Sequence, residues 1–468
     1  MTTNAATIAN RDAEGEKDMP EVMEETGRAV GAEIERFRAH FQATAPQRAR
    51  EPVWLRRTRS AAFDAFAELG FPSTRQEAWR FTQTTGLAAR PFVIPPRVSI
   101  GREVWDSISF AGPSATELVF VNGRFAPELS GLGALPAGLD AGSLQVVLGH
   151  RSAALEGRLA ALAAPGAHPF TALNTASFED GAVITVSPNT VVEGVVHVAF
   201  LADPSNGAAA IHPRVLIQVG SNSQIRIVES YHASADGEYF TNAVTEIDLA
   251  DGAVVDHYKM QQEAPQAFHM ATLHVRCSRS SAFSSHSASL GGAWVRNEVA
   301  TVLGGEGAHC TLNGVYLGNG RTLMDNRTTI DHARPHCTSH ELYKGILAGA
   351  SRAVFNGTII VRPDAQKTDA KQTNKALLLS DEALINSKPE LEIFANDVRC
   401  THGAAVGQMD RDAVFYLRAR GIGLEEARHL LIQAFAGEVL DTFQVDALRE
   451  RVTTDLLQRL SAVLAEVR

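Results

Sequence analysis

The chain has 468 residues, enough for two or three folding units. Hydrophobic residues make up 45% and charged residues 21%, the balance of a soluble globular protein. A formal net charge of -10 argues against a nucleic-acid footprint, and no apolar run approaches the roughly 20 residues of a membrane helix.

Residues 1–28 are polar and acidic, with Asp12, Glu14, Glu16, Asp18, Glu21, Glu24 and Glu25. They lack the basic start and apolar core of a secretory signal, and the expectation is a disordered tail on a cytoplasmic protein. Cys277, Cys310, Cys337 and Cys400 are widely spaced with no C-x-x-C pair, which predicts reduced thiols rather than a disulfide framework.

Residues 29–168 read as a mixed, mainly helical region. Val30, Ile34, Phe37 and Phe41 follow helical spacing. A second helix is expected from Thr58 to Leu69, stopped by Gly70 and Pro72. Ser73 or Thr74 is a candidate cap for a helix through Arg75–Trp79. Leu118–Val121 followed by Asn122-Gly123 predicts a strand entering a tight turn, and Ala153 to Ala163 reads as helix again.

Residues 169–407 change character. Short runs such as Ala182–Val186, Val215–Val219, Gln224–Val228 and Thr358–Val361 alternate with small-residue turns. Turns at Gly220–Ser223, Asp251-Gly252, Ser278–Ser281 and Gly304–Gly307 recur about every 25 to 30 residues, the spacing of stacked repeat units. Gly349-Ala350-Ser351 extends the series. Long stretches of short strands with almost no helix suit a solenoid in which each coil covers its neighbour's edge.

Residues 408–468 return to helix. Asp410 is placed to cap a helix ending at Gly421. Leu424 to Val439 and Val445 to Val467 follow, the last with Leu448, Val452, Leu456, Leu457, Leu460 and Val463 on one face. Such helices either lid the solenoid or dock a partner.

The stretch from Thr328 to Gly407 contains Thr329–Ser339, Glu341–Gly345, Phe355–Gly357, Pro363–Ala370, Gln372–Lys375, Lys388–Ile393 and Asp397–Ala404. These blocks resemble the SufB/SufD family of iron–sulfur cluster assembly scaffolds. Phe415–Ile422 also matches, and Arg75–Thr82 and Val119–Phe125 point to the SufD branch. The resemblance implies a mainly β fold: a right-handed parallel β-helix core flanked by an N-terminal helical or mixed region and a C-terminal helical region. It implies a SufB-type partner on the β-helix and a SufC-type ATPase on the C-terminal helices. It further implies a cluster assembled transiently between this chain and SufB, and no reaction of its own. A flavin belongs to this assembly at the level of the complex, but no flavin motif is present. No G-x-x-x-x-G-K-[ST] phosphate loop occurs either, so ATP falls to another subunit.

Four scattered cysteines do not make a conventional cluster site, but an interface site needs only one or two ligands from each side. By the resemblance His402 is the first candidate ligand; the alternative is a histidine hydrogen-bonding the turn at Gly403. Cys400 stands two residues earlier, on the same face of a strand, and is the second candidate; the alternative is a small buried hydrophobe. His332, His336, Cys337 and His340 have the look of a zinc site, but Pro335 interrupts them and a structural role is expected. Asp364, Lys367, Asp369 and Lys371 read as an ion-paired loop facing SufB. Trp79 is expected to anchor helix to strand. Two other readings remain open: a β-helix polysaccharide lyase or hydrolase built on the Asp/Lys run, and a purely structural partner of SufB. A homodimer through the same β-helix edge is a further arrangement.

Overall fold

The computed structural model describes residues 31, 33–110 and 115–466. The acidic segment expected to be a disordered tail, residues 1–28, lies outside them, as does Val30.

Among the described residues, helices that bracket or interrupt the strands include α1 (Val53–Leu69), α2 (Pro169–Ser177), α3 (Arg411–Ala419), α4 (Leu424–Leu440) and α5 (Asp446–Glu466). The strands are β1 (Thr116–Val121), β2 (Arg124–Phe125), β3 (Leu139–Ser143), β4 (Gly181–Val186), β5 (Val191–Ala202), β6 (Ala209–Ile211) and β7 (Arg214–Val219). Then follow β8 (Gln224–Ala233), β9 (Tyr239–Leu249), β10 (Val254–Gln262), β11 (Phe268–Cys277), β12 (Ala282–Ser289), β13 (Trp294–Leu303) and β14 (His309–Gly318). The last six are β15 (Leu323–His332), β16 (Thr338–Leu347), β17 (Arg352–Val361), β18 (Asp369–Leu378), β19 (Leu384–Ile393) and β20 (Arg399–Gln408).

From β7 onward the chain alternates between two sheets, and each strand pairs in parallel with the strand two later. The result is a β-solenoid of about eight turns. Gln224, Val254, Ala282, His309, Thr338, Asp369 and Arg399 are successive register partners, 27 to 31 residues apart. In-register parallel stacking puts like rows of side chains on like faces. One inward row is Ile225, Val255, Phe283, Cys310, Ser339, Ala370 and Cys400, and its members at the filled end are fully buried.

One corner of every coil uses the left-handed backbone region. Asn222, Gly252, Ser280, Gly307, His336 and Lys367 have φ between 53° and 70°. Each of their N–H groups donates to a carbonyl one coil on, at Asp251, Arg279, Glu306, Pro335, Gln366 and Asp397 respectively, over 2.6–3.2 Å. The first four turns of the repeating series belong to this corner. Gly349 does not: it stacks on Gly320 at the other corner.

Both outer faces are covered. Phe37, Phe63, Phe66 and Trp79 pack with Phe170 of α2 on Phe240, Phe268, Met270 and Trp294 of the odd-numbered sheet. α4 and α5 cover Val228, Tyr258, Met260, Leu290, Val315 and Ile346 of the other sheet. Trp79 anchors the N-terminal region as its apolar area suggests: it is 3% exposed, and the Arg296 guanidinium sits 3.5 Å above its ring.

The local readings hold where caps and turns are explicit. α1 ends at Gly70 with φ 62°, and the side chain of Asp410 accepts from the N–H groups of Asp412 and Ala413. Asn122 and Gly123, with φ of 49° and 76°, close the β1–β2 hairpin. Two readings fail. Ala153 to Ala163 is not a helix: beyond a 3-10 turn at Ser152–Ala154 it makes isolated turns, such as Arg158 N–H to the Leu155 carbonyl, and the N–H groups of Ala160, Leu162 and Ala163 go to the Glu246 carboxylate. Arg75–Trp79 holds only a 3-10 turn over Glu77–Trp79 with no side-chain cap. The helix α2 also stands where only strands were expected, started by Pro169 and a His168 side chain that accepts from Thr171 N.

Candidate functional site

β20 ends one sheet and β19 ends the other, so among the described residues each has one neighbouring strand and one free edge. Both run ten residues, and nearly every residue of β20 is exposed. Leu384, Ile393, Phe394 and Val406 are exposed beside these edges. A long edge with free N–H and C=O groups is a template for another chain.

Cys400 and His402 lie on β20 opposite Ala370 and Gln372 of β18. Ala370 and Gln372 are buried in the lumen, so the register places Cys400 and His402 on the inward row of the last coil. Cys400 is half-buried against the cluster of Ile359, Val361, Ala365, Ala370 and Ala395. Burial pushes its thiol pKa up, and a backbone hydrogen bond at Ala370 opposes the shift. His402 is exposed because no coil covers it. Both therefore stand at the open mouth of the solenoid, two residues apart on one face.

The helical end offers a second surface. α3 buries none of its residues; Phe415 is 74% and Tyr416 57% exposed. A groove of about 300 Å³ runs between Leu378, Met409, Val414, Leu424, Arg428 and Leu464. α4, by contrast, is tied down. The buried Lys344 ammonium donates to the Phe435 carbonyl at 2.7 Å and pairs with Glu438. Thr442 Oγ1 lies 2.8 Å from His286 Nδ1, and Gln262 donates to Asp455 of α5 at 2.6 Å.

Residues 200–435 match the family described as SUF system FeS cluster assembly, SufBD core domain, and residues 35–198 match the SufBD protein N-terminal region. The chain belongs to the SufBD family of iron–sulfur cluster assembly proteins. It is 35% identical over 402 residues to an iron–sulfur cluster assembly SufBD family protein of Synechocystis, covering 84% of this chain and 88% of that one. It is 31% identical over 413 residues to the iron–sulfur cluster assembly protein SufD of Escherichia coli, covering 84% and 90%. The chloroplastic protein ABCI7 of Arabidopsis thaliana is 28% identical over 407 residues, covering 85% and 84%.

Within this SufBD core the His332, His336, Cys337 and His340 group is dispersed. His332 ends β15, buried, with Nε2 2.9 Å from Ser339 Oγ. His336 is a corner residue, Cys337 is buried, and His340 lies exposed on β16. Among the described residues no group of three or more His, Cys, Asp or Glu is arranged to hold a metal ion. The Asp/Lys run is ion-paired: Lys367 with Asp397, and Lys371 with Asp369 at 3.4 Å. No helix among the described residues is long and apolar enough to cross a membrane.

The polar interior of the core went unread in the sequence. Glu229 Oε1 lies 3.1 Å from His257 Nε2, and His257 Nδ1 lies 2.9 Å from Ser285 Oγ. The Lys259 ammonium donates to Asn297 at 2.6 Å and lies 2.9 Å from His269 Nε2; burial brings its pKa down to about 8. A cavity of about 30 Å³, large enough for a water, opens among these groups. Nearer the mouth, Gln372 Nε2 donates to Glu341 Oε2 at 2.7 Å and Asn374 Nδ2 to Ser387 Oγ at 2.9 Å. Burial pushes Glu341 up to about 7, with the hydrogen bond from Gln372 opposing. The alternating small and polar residues of β10, β12, β16 and β18 are the only trace of this file in the sequence.

Proposed function

We propose that this chain is the SufD-like, non-catalytic subunit of a SufB–SufC–SufD scaffold, working in the cytoplasm, where its cysteines stay reduced. The observation that carries the proposal is the mouth of the solenoid: a free β edge with His402 and Cys400 on its inward row. A SufB-type chain continues the sheets there through main-chain hydrogen bonds, as β-strand addition does elsewhere. The iron–sulfur cluster is the cargo of this interface. Four ligands are usual, one imidazole and one thiol are on offer here, and the partner supplies the rest. His402 is the principal ligand and Cys400 the second.

The SufC-type ATPase docks on the C-terminal helices, where Phe415, Tyr416, Leu424 and Leu430 are exposed. Movement there reaches the solenoid through the Lys344–Phe435 and Gln262–Asp455 contacts. ATP, and any flavin, are held by other subunits of the complex.

Co-expression with a SufB and a SufC, native mass measurement and iron and sulfide analysis test the proposal. A three-component complex that loses most of its cluster in His402→Ala, while keeping its mass, is expected. A chain that stays alone or pairs only with itself refutes the scaffold role. Full cluster yield in His402→Ala refutes the ligand role and leaves a structural partner of SufB.

A further inference from the structure

The lumen floor beneath His402 is incomplete in a specific way. Gln372 is 2% exposed, and its side chain crosses the lumen to Gly357, where a Cβ would come within 2.1 Å of its amide nitrogen. That nitrogen donates to Glu341 Oε2 at 2.7 Å, which fixes the amide: nitrogen towards Glu341, oxygen away. The freed Oε1 is buried and has no hydrogen-bond partner among the described residues. Most buried acceptors in folded proteins are satisfied by protein or ordered water, so the unpartnered oxygen marks a place for a donor; the neighbouring Glu341 Oε1 is unpartnered as well. Gln372 and His402 are register partners on adjacent strands, so the next rung of the same inward row is the His402 imidazole.

We propose that Glu341 and Gln372 are positioning residues for His402: the imidazole, not bonded to Gln372 as the structure stands, turns inward to donate one ring N–H to the Gln372 oxygen aimed by Glu341, and leaves the other nitrogen's lone pair facing the cluster. The inference rests on the ligand reading of His402 given above. A histidine ligand needs its second nitrogen protonated and held, and a hydrogen-bond acceptor behind the ring does both. Glu341 supplies the direction. As a carboxylate it only accepts, so the amide must present its N–H to it; as a neutral acid it can donate, and the amide is free to turn. The groups around Glu341 are Thr328, Gln372 and the neutral Tyr343 and Cys310, and among the described residues no cation is paired with it. Burial raises it to about 7, so the directing form prevails above neutral pH.

The test reads the neutral tautomer of His402 in the full chain, from ring-nitrogen correlations of 15N-histidine-labelled protein at about pH 8.5, where histidine is uncharged. The His402 signals are assigned with His402→Ala. One tautomer dominates in the wild type. Gln372→Met, which keeps volume in the lumen and removes the acceptor, moves the ratio by about fivefold, the weight of one net hydrogen bond. Glu341→Gln, which lets the amide pair either way round, moves it in the same direction. A wild-type mixture of tautomers, or an unchanged ratio in Gln372→Met that keeps the wild-type circular dichroism, overturns the proposal. Cluster yield in the complex separates the two readings. If His402→Ala loses the cluster and Gln372→Met keeps it together with the wild-type tautomer ratio, the ligand stands and the positioning role falls. If His402→Ala keeps the cluster, the ligand reading falls, and the tautomer ratio alone decides the hydrogen bond.

Discussion

Replacing Glu341 by Gln should change how stability depends on pH. The carboxyl is 4% exposed, and burial raises its pKa from 4.5 to about 7. A tenfold difference in proton affinity between the folded and unfolded chain is worth about 1.36 kcal/mol, so the ionised form costs the fold about 3 kcal/mol relative to the neutral acid. The folded pKa lies above the unfolded one. The stabilising contribution is therefore complete below about pH 4.5 and is lost as pH rises through about 7. Glutamine carries no such dependence. Unfolding entropy of roughly 2.1 cal/mol/K per residue over a chain this long turns about 3 kcal/mol into a Tm change of roughly 3 °C. Scanning calorimetry of both proteins at about pH 5 and pH 8.5 should show the variant gaining about 2–3 °C on the wild type at the higher pH. A Tm difference that stays constant between the two pH values would refute the buried-acid reasoning. So would a variant that loses ground as pH rises.

Three further outcomes are expected from the same packing. Cys277, Cys310 and Cys337 are buried and burial raises their thiols, so a disulfide reagent should titrate Cys400 alone in the native chain and all four cysteines after denaturation. Fast reaction of more than one native thiol contradicts this. Lys344→Met removes the buried ammonium that ties the Phe435 carbonyl and Glu438 to the solenoid; the carbonyl stays within α4 and half-exposed Glu438 keeps Lys375, so the cost is about 1–2 kcal/mol. Limited proteolysis should then cut sooner between α3 and α4. Gly357→Ala drives a methyl into the Gln372 amide and should cost about 1–3 kcal/mol in chemical denaturation, more than Gly403→Ala, where nothing lies within 4 Å.

Much of this protein is legible in its sequence wherever the cause is local. Asn122-Gly123 closes a hairpin and Asp410 caps a helix because a few adjacent atoms decide the outcome. The spacing of Gly- and Ser-bearing turns announced the coils for the same reason: glycine and small polar residues tolerate positive φ. The signal faded at His336 and Lys367, which take the same left-handed corner without a turn residue's chemistry. Gly349 misled because a glycine does not say which corner it turns.

Other features arise from contacts between residues far apart in the chain. Ala153–Ala163 has helical composition, yet three of its N–H groups serve Glu246, some 80 residues away, and that carboxylate is itself held by Arg214. His402 and Cys400 were legible as residues, through family motifs and the two-residue period of a strand. Their place on the inward row was not, because it depends on register with Ala370 and Gln372 one coil earlier. The floor beneath them was invisible for the same reason. Glu341, Gln372 and His402 are about 30 residues apart in the chain and adjacent only when the coils stack, and register is a property of the stack rather than of any one strand.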